Sequence, residues 1–198
     1  MMKKYSLLIL TLIILILSFL NCWYSAELLD LLFIVTFILN LVLFIIYIIC
    51  FKIVIEEIIK NKNILNVISL CILIMNIIII TIFPFREAKT YLELNLYKEE
   101  YEKVVKLVKD KGLVTYEYDN AKLPKELKKI SISGEISIYK NDEEGQIIGF
   151  WIFRGMLSGS TQLIYSSCDE KLIEESEFRY SITSIKELED NWYYVEFD

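Results

Sequence analysis

Arg154 is the residue whose type and setting most invite ligand chemistry. It ends the apolar run Gly149–Phe153 and is followed by Gly155 and Gly159 within the stretch GFWIFRGMLSG. A guanidinium fork beside glycine-rich backbone could hold a carboxylate or phosphate, helped by the amides of residues 155–159. The other reading is structural: Arg154 closes a strand and bonds carbonyls or an acid across a hairpin, Glu135 or Asp142, while Gly155 lets the chain leave with positive φ. No Walker or Rossmann spacing surrounds it. The structural role is the favoured one.

Little else in the chain is equipped for catalysis. There is no histidine, which removes the commonest general base and the usual zinc ligand. Cys22, Cys50, Cys71 and Cys168 are scattered without a CxxC pair, and Cys168 has no base to activate it as a nucleophile. The acids of NDEEG and CDEKLIEESE match no EF-hand loop and read as solvated turns. Ser158 and Ser160 lack a G-x-S-x-G context. Trp192 and Tyr194 share one strand face and are candidate partner contacts if that face is open, though core packing is the commoner fate of such residues. The expectation is a non-enzymatic protein with no catalytic residue, no cofactor and no metal.

These residues follow a sharp change of composition. Before Phe85 the only charges are Lys3, Lys4, Lys52, Lys60 and Lys62 against Glu27, Asp30, Glu56 and Glu57; the other sixteen basic and 23 acidic residues come after it. A break of this kind separates a segment solvated by lipid from one solvated by water. The acidic balance of the second part argues against nucleic acid as a partner. Three uncharged stretches, 5–26, 31–51 and 63–85, have the roughly 20 residues a helix needs to cross a bilayer. The first is too long for a signal peptide and has no small-x-small cleavage site, so it is read as an uncleaved helix.

Lys3 and Lys4 precede the first span and three lysines fall in the connection 52–62, whereas residues 21–30 carry none. The positive-inside rule therefore puts the N-terminus in the cytoplasm and delivers residues 86–198 to the outside. Asn40 and Asn76 sit near the middle of the second and third spans and are expected to bond each other as interhelical glue. With no ionisable group at depth, a transport path has little to work with.

Residues 86–198 suffice for one small domain. Tyr97, Tyr101, Val104, Val105 and Val108 make one helical stripe, and a single long helix capped by Gly112 is expected. Leu113–Tyr118 alternates as a strand. Ile130, Ile132, Ile136 and Ile138 share a face of another, with Gly134 as a bulge. Gln146–Phe153 is apolar on both faces, as a central strand is, and TQLIYSS and WYYVEF add two more. The expected fold class is α+β: three transmembrane helices (1–85), then a domain (86–198) with one long helix on a mostly antiparallel sheet of about five strands.

The order LPKEL, ISISGEISIYKND, IIGFWIFRGMLSG, LIYSS, NWYYVEF resembles a small bacterial domain family of unknown function that recurs behind a membrane or lipoprotein anchor. The resemblance covers about 100–198, with Leu127 where an aromatic is usual and Gln162 in place of a glycine. It implies a fold and an envelope location only. Two roles are open. One is an outward-facing domain that binds a protein or envelope partner; the other is a small immunity or accessory subunit docking through its helices onto another membrane protein. A lipid bilayer surrounds the helices in either case.

Overall fold

The computed structural model describes residues 2–25, 28, 33–110, 113, 115–116, 120–143, 145–155, 159–168 and 181–198. Gly112, most of the 113–118 strand, Ser158 and the acids of 169–177 lie outside the described residues. The chain divides into two compact units, Met1–Phe85 and Arg86–Asp198.

The described residues of the first unit form three long helices, α1 (Met2–Trp23), α2 (Phe33–Asn61) and α3 (Ile64–Ile82). Each is long and apolar enough to cross a bilayer, over Tyr5–Trp23, Ile34–Asn61 and Ile64–Ile82, so the chain has the build of a multi-pass membrane protein. Most of their large apolar side chains face outward, the arrangement lipid favours over water. Ile14, Cys50, Val54 and Leu73 form the small dry centre. The second span, expected to end at residue 51, continues as a helix through most of the charged connection: α2 runs on to Asn61, carrying Lys52, Glu56 and Lys60 one turn apart with Nζ–Oε distances of 3.9 Å. That i,i+4 spacing supports helix rather than breaking it. The turn to α3 needs only Lys62, with left-handed φ of 40°, and Asn63, whose side chain caps the Leu65 amide at 3.2 Å. Aromatic rings collect at the other end of the bundle, where Phe19 stacks on Trp23 at 5.8 Å and meets Phe83 and Phe85.

The second unit opens with α4 (Phe85–Leu96) and α5 (Lys98–Lys109). The single helix expected here is broken at Tyr97, whose backbone (φ −122°, ψ 24°) leaves the helical region for one residue. The predicted stripe is buried where it matters, with Tyr101, Val104 and Val108 inaccessible.

Among the described residues the sheet has seven antiparallel strands: β1 (Thr115–Tyr116), β2 (Asn120–Lys122), β3 (Glu135–Asp142), β4 (Gly145–Arg154), β5 (Ser160–Ser166), β6 (Ile182–Glu189) and β7 (Trp192–Phe197), ordered β1-β2-β3-β4-β5-β7-β6. β4 is central and buried on both faces, which is why its sequence does not alternate. One face packs Ile136, Ile148, Phe150, Leu163 and Trp192 under Leu94 and the α5 stripe. The other gathers Ile147, Ile164, Tyr193, Val195 and Phe197.

The expected strand through Ile130 is corrected. Lys128–Ile130 and Ile132–Gly134 are single 3-10 turns, and Gly134 ends the second with φ of 65°. The register irregularity in this hairpin lies between Ile138 and Lys140, not at Gly134. Ser131 docks the turns: its hydroxyl accepts from the Trp151 amide at 2.9 Å and donates to the Glu135 carbonyl.

Candidate functional site

In the second unit, the first turns of α5 and the tip of the β6–β7 hairpin enclose a recess of about 600 Å³, within the size range of ligand clefts. Lys98, Glu102 and Val105 line it from α5, Glu189, Asp190 and Asn191 from the hairpin tip, and Tyr165 and Trp192 from β5 and β7. The helix presents its three residues because Tyr101 and Val104, between them, are turned into the core. Asn191 shapes the opposite wall by taking left-handed φ of 68°, which asparagine tolerates. Its carbonyl is held by the Ser166 amide at 2.9 Å.

The electrostatics are lopsided. The Lys98 ammonium donates to the Glu189 carboxylate, a bond that raises the lysine pKa above its ordinary value against a smaller opposing effect of burial. One cation thus faces three carboxylates. Trp192 is bracketed by Tyr165 (5.2 Å), Tyr101 (5.6 Å) and Phe150 (5.9 Å), so its indole is fixed.

The structure scatters the candidate residues of the sequence. Trp192 is 3% exposed and Tyr194 4%; the open face imagined for them is closed, because it is the face α4 and α5 cover. Trp192 reaches the recess only as a lining residue. Tyr194 donates to Glu196 from inside the domain, and burial, first of all, pushes its phenol pKa up.

Arg154 is exposed, its Cζ 4.1 Å from the centre of the Trp151 ring. Neither Glu135 nor Asp142 is its partner. Asp142 sits opposite Gly145 at the other end of β4, where it accepts from the Gly145 amide and faces Lys140. Register also separates Arg154 from the recess: it pairs with Ser160, while Tyr165 pairs with Trp192. Ser160 and Tyr165 are five residue steps apart along β5, about 17 Å.

Asn40 and Asn76 do not bond each other. Asn40 accepts from Asn21 Nδ2 at 2.7 Å and donates to the Thr36 carbonyl; Asn76 donates to Ser18 Oγ at 3.4 Å. Both therefore turn to α1. Asn40 is exposed, whereas Asn76 belongs to a buried polar seam that single residues did not announce. Thr11 and Ser18 of α1 and Asn66, Ser69 and Asn76 of α3 are all buried at three- to seven-residue spacing within each helix. Small and amide side chains of this kind let helices approach and bond in lipid.

The sequence signals for the recess were the Asp190–Asn191 pair between two strands, a hairpin signature, and the wet side of the α5 stripe. Among the described residues no cluster of three or more His, Cys, Asp or Glu side chains is placed to hold a metal. No protein-family model matches the chain, and neither a curated protein nor a solved structure matches it.

Proposed function

We propose that this is an anchored interaction protein without catalytic chemistry, whose three helices hold residues 86–198 outside the cytoplasm to bind a protein or envelope component. The observation that carries the binding role is the recess between α5 and the β6–β7 tip, a concavity with rigid aromatic lining and convergent polar groups. The orientation rests on the lysines: Lys52, Lys60 and Lys62 gather where α2 meets α3, away from the aromatic cluster around Phe19. The resemblance to a family of anchored domains agrees with this reading. Docking through the helices is the less favoured role, because the exposed side chains of the three helices are mostly large and apolar, and Asn21 bonds Asn40 and Asn76 bonds Ser18 within the unit, although the buried Oδ1 atoms of Asn21 and Asn76 are left without a partner among the described residues.

The test places a photo-crosslinking residue at Asp190 or at Arg154 in intact cells. An adduct of one defined mass from position 190 and none from 154 supports the recess. Equal adducts, or none, remove it. Protease added to intact cells should clip the domain; cleavage only after lysis reverses the orientation.

A further inference from the structure

The charge and shape of the recess also specify a class of partner. We propose that it receives a basic side chain, arginine or lysine, presented by a partner polypeptide; this rests on the reading of the recess as the binding site of the domain. Of its four charged residues, Lys98 and Glu189 bond each other, leaving the carboxylates of Glu102 and Asp190 on opposite walls. An anionic group entering here would meet three carboxylates and one cation already engaged. A cationic group would be attracted from a distance as well, since residues after Phe85 carry the whole acidic excess of the chain. The lining suits the rest of a basic side chain. Val105 offers apolar contact for a methylene stem, and the half-buried ring of Tyr165, backed by Trp192, offers a π-system that attracts a cation. The Asn191 amide adds one neutral bonding group.

The two elements that carry Glu102 and Asp190 are held at a fixed separation. Tyr101, Val104 and Val108 seat α5 on the sheet, and Trp192 follows the hairpin tip directly into the same aromatic core. The acceptors are thus placed before the partner arrives, which limits the ordering cost of binding. Lys98 competes with the incoming cation for Glu189, so its removal should strengthen binding rather than weaken it.

The experiment uses the full chain in nanodiscs of zwitterionic lipid and a fluorescein-labelled Gly-Arg-Gly-Arg-Gly peptide, with the Glu counterpart as control, read by polarisation. The Arg peptide should saturate and weaken as salt is raised. Glu102→Gln and Asp190→Asn should each weaken it about threefold, the size of a partly exposed ion pair. Lys98→Gln should tighten it by a similar factor. Glu126→Gln, an exposed acid outside the recess, should change nothing. Equal binding of the Glu peptide, equal loss in Glu126→Gln, or weaker binding in Lys98→Gln overturns the proposal. So does calcium that binds alone and displaces the peptide, which would make this a cation site. Failure here with a position-190 adduct in cells would leave the recess a binding site for other chemistry; failure of both removes the site.

Discussion

Tyr139 and Gln162 meet across the central strand, the tyrosine hydroxyl donating to Gln162 Oε1 at 2.9 Å directly over Gly149. Gln162 is fully buried, and its carboxamide has room only because residue 149 has no side chain. A Cβ there would lie 2.4 Å from Gln162 Oε1 and 2.8 Å from Tyr139 Cε2. Gly149→Ala should therefore destabilise the domain by about 1–3 kcal/mol, the usual cost of overpacking. The penalty should shrink in a Gln162→Gly background, where one of the two obstacles is gone. Chemical denaturation of the full chain in detergent, followed by near-ultraviolet circular dichroism, measures both. An undiminished penalty would mean that the tyrosine ring alone sets it.

The membrane unit offers a second pairwise test. Asn76 with Ser18 and Asn40 with Asn21 are bonded pairs, whereas Asn40 and Asn76 share no bond. Double-mutant cycles to Leu and Ala should give coupling of about 0.6 kcal/mol for each bonded pair, the typical size for such contacts in lipid. The Asn40–Asn76 cycle should be additive. Coupling confined to that last cycle would contradict the seam described above.

Much of the architecture was legible because it follows from periodicity. Uncharged runs gave the spans, and the double-sided apolar run around Phe150 gave the central strand. Reading failed where local pattern and backbone geometry part company. Ile130 through Ile138 alternate like a strand, but Gly134 in the left-handed region breaks the chain into 3-10 turns first. The charges after Phe51 end the apolar span, yet their i,i+4 order lets the helix itself run on. The recess was illegible for a different reason. Lys98 and Glu189 are 91 residues apart, and only the fold brings α5 to the β6–β7 tip.

Arg154 illustrates how a misplaced partner changes an energetic expectation. A half-buried arginine feeding a carbonyl and carboxylate network would cost about 1–3 kcal/mol to replace. An exposed guanidinium stacked on Trp151 at 4.1 Å is an interaction of about 0.5–1 kcal/mol. Arg154→Ala should accordingly lower stability only slightly. Trp151 keeps its indole bond to Ser137 Oγ at 3.2 Å and its contact with Phe197 either way. Thermal unfolding of the full-length variant decides; a loss above about 2 kcal/mol would restore the buried-network reading.

Two ion pairs on the first turn of α5 should make its docking sensitive to pH in opposite directions. Glu100 accepts from Lys129 at 3.0 Å, and that bond, followed by one from its own backbone amide, holds the carboxyl below the ordinary glutamate value. A lowered folded-state value means the contribution is present above the unfolded glutamate value and is lost as pH falls through the folded one. Lys98 is the mirror case: its bond to Glu189 raises the ammonium pKa. That contribution is complete below the unfolded lysine value and is lost as pH rises through the raised folded value. The melting temperature of the domain transition should therefore decline at both extremes. Lys129→Gln should flatten the acid decline and leave the alkaline one; Glu189→Gln should do the reverse. Lys129 also lies 4.4 Å from the Tyr97 ring, so its variant should further loosen the break between α4 and α5 at every pH. That uniform offset is separable from the change of slope. If neither variant alters a slope, these pairs do not anchor the helix, and the Tyr101, Val104 and Val108 stripe holds α5 on the sheet unaided.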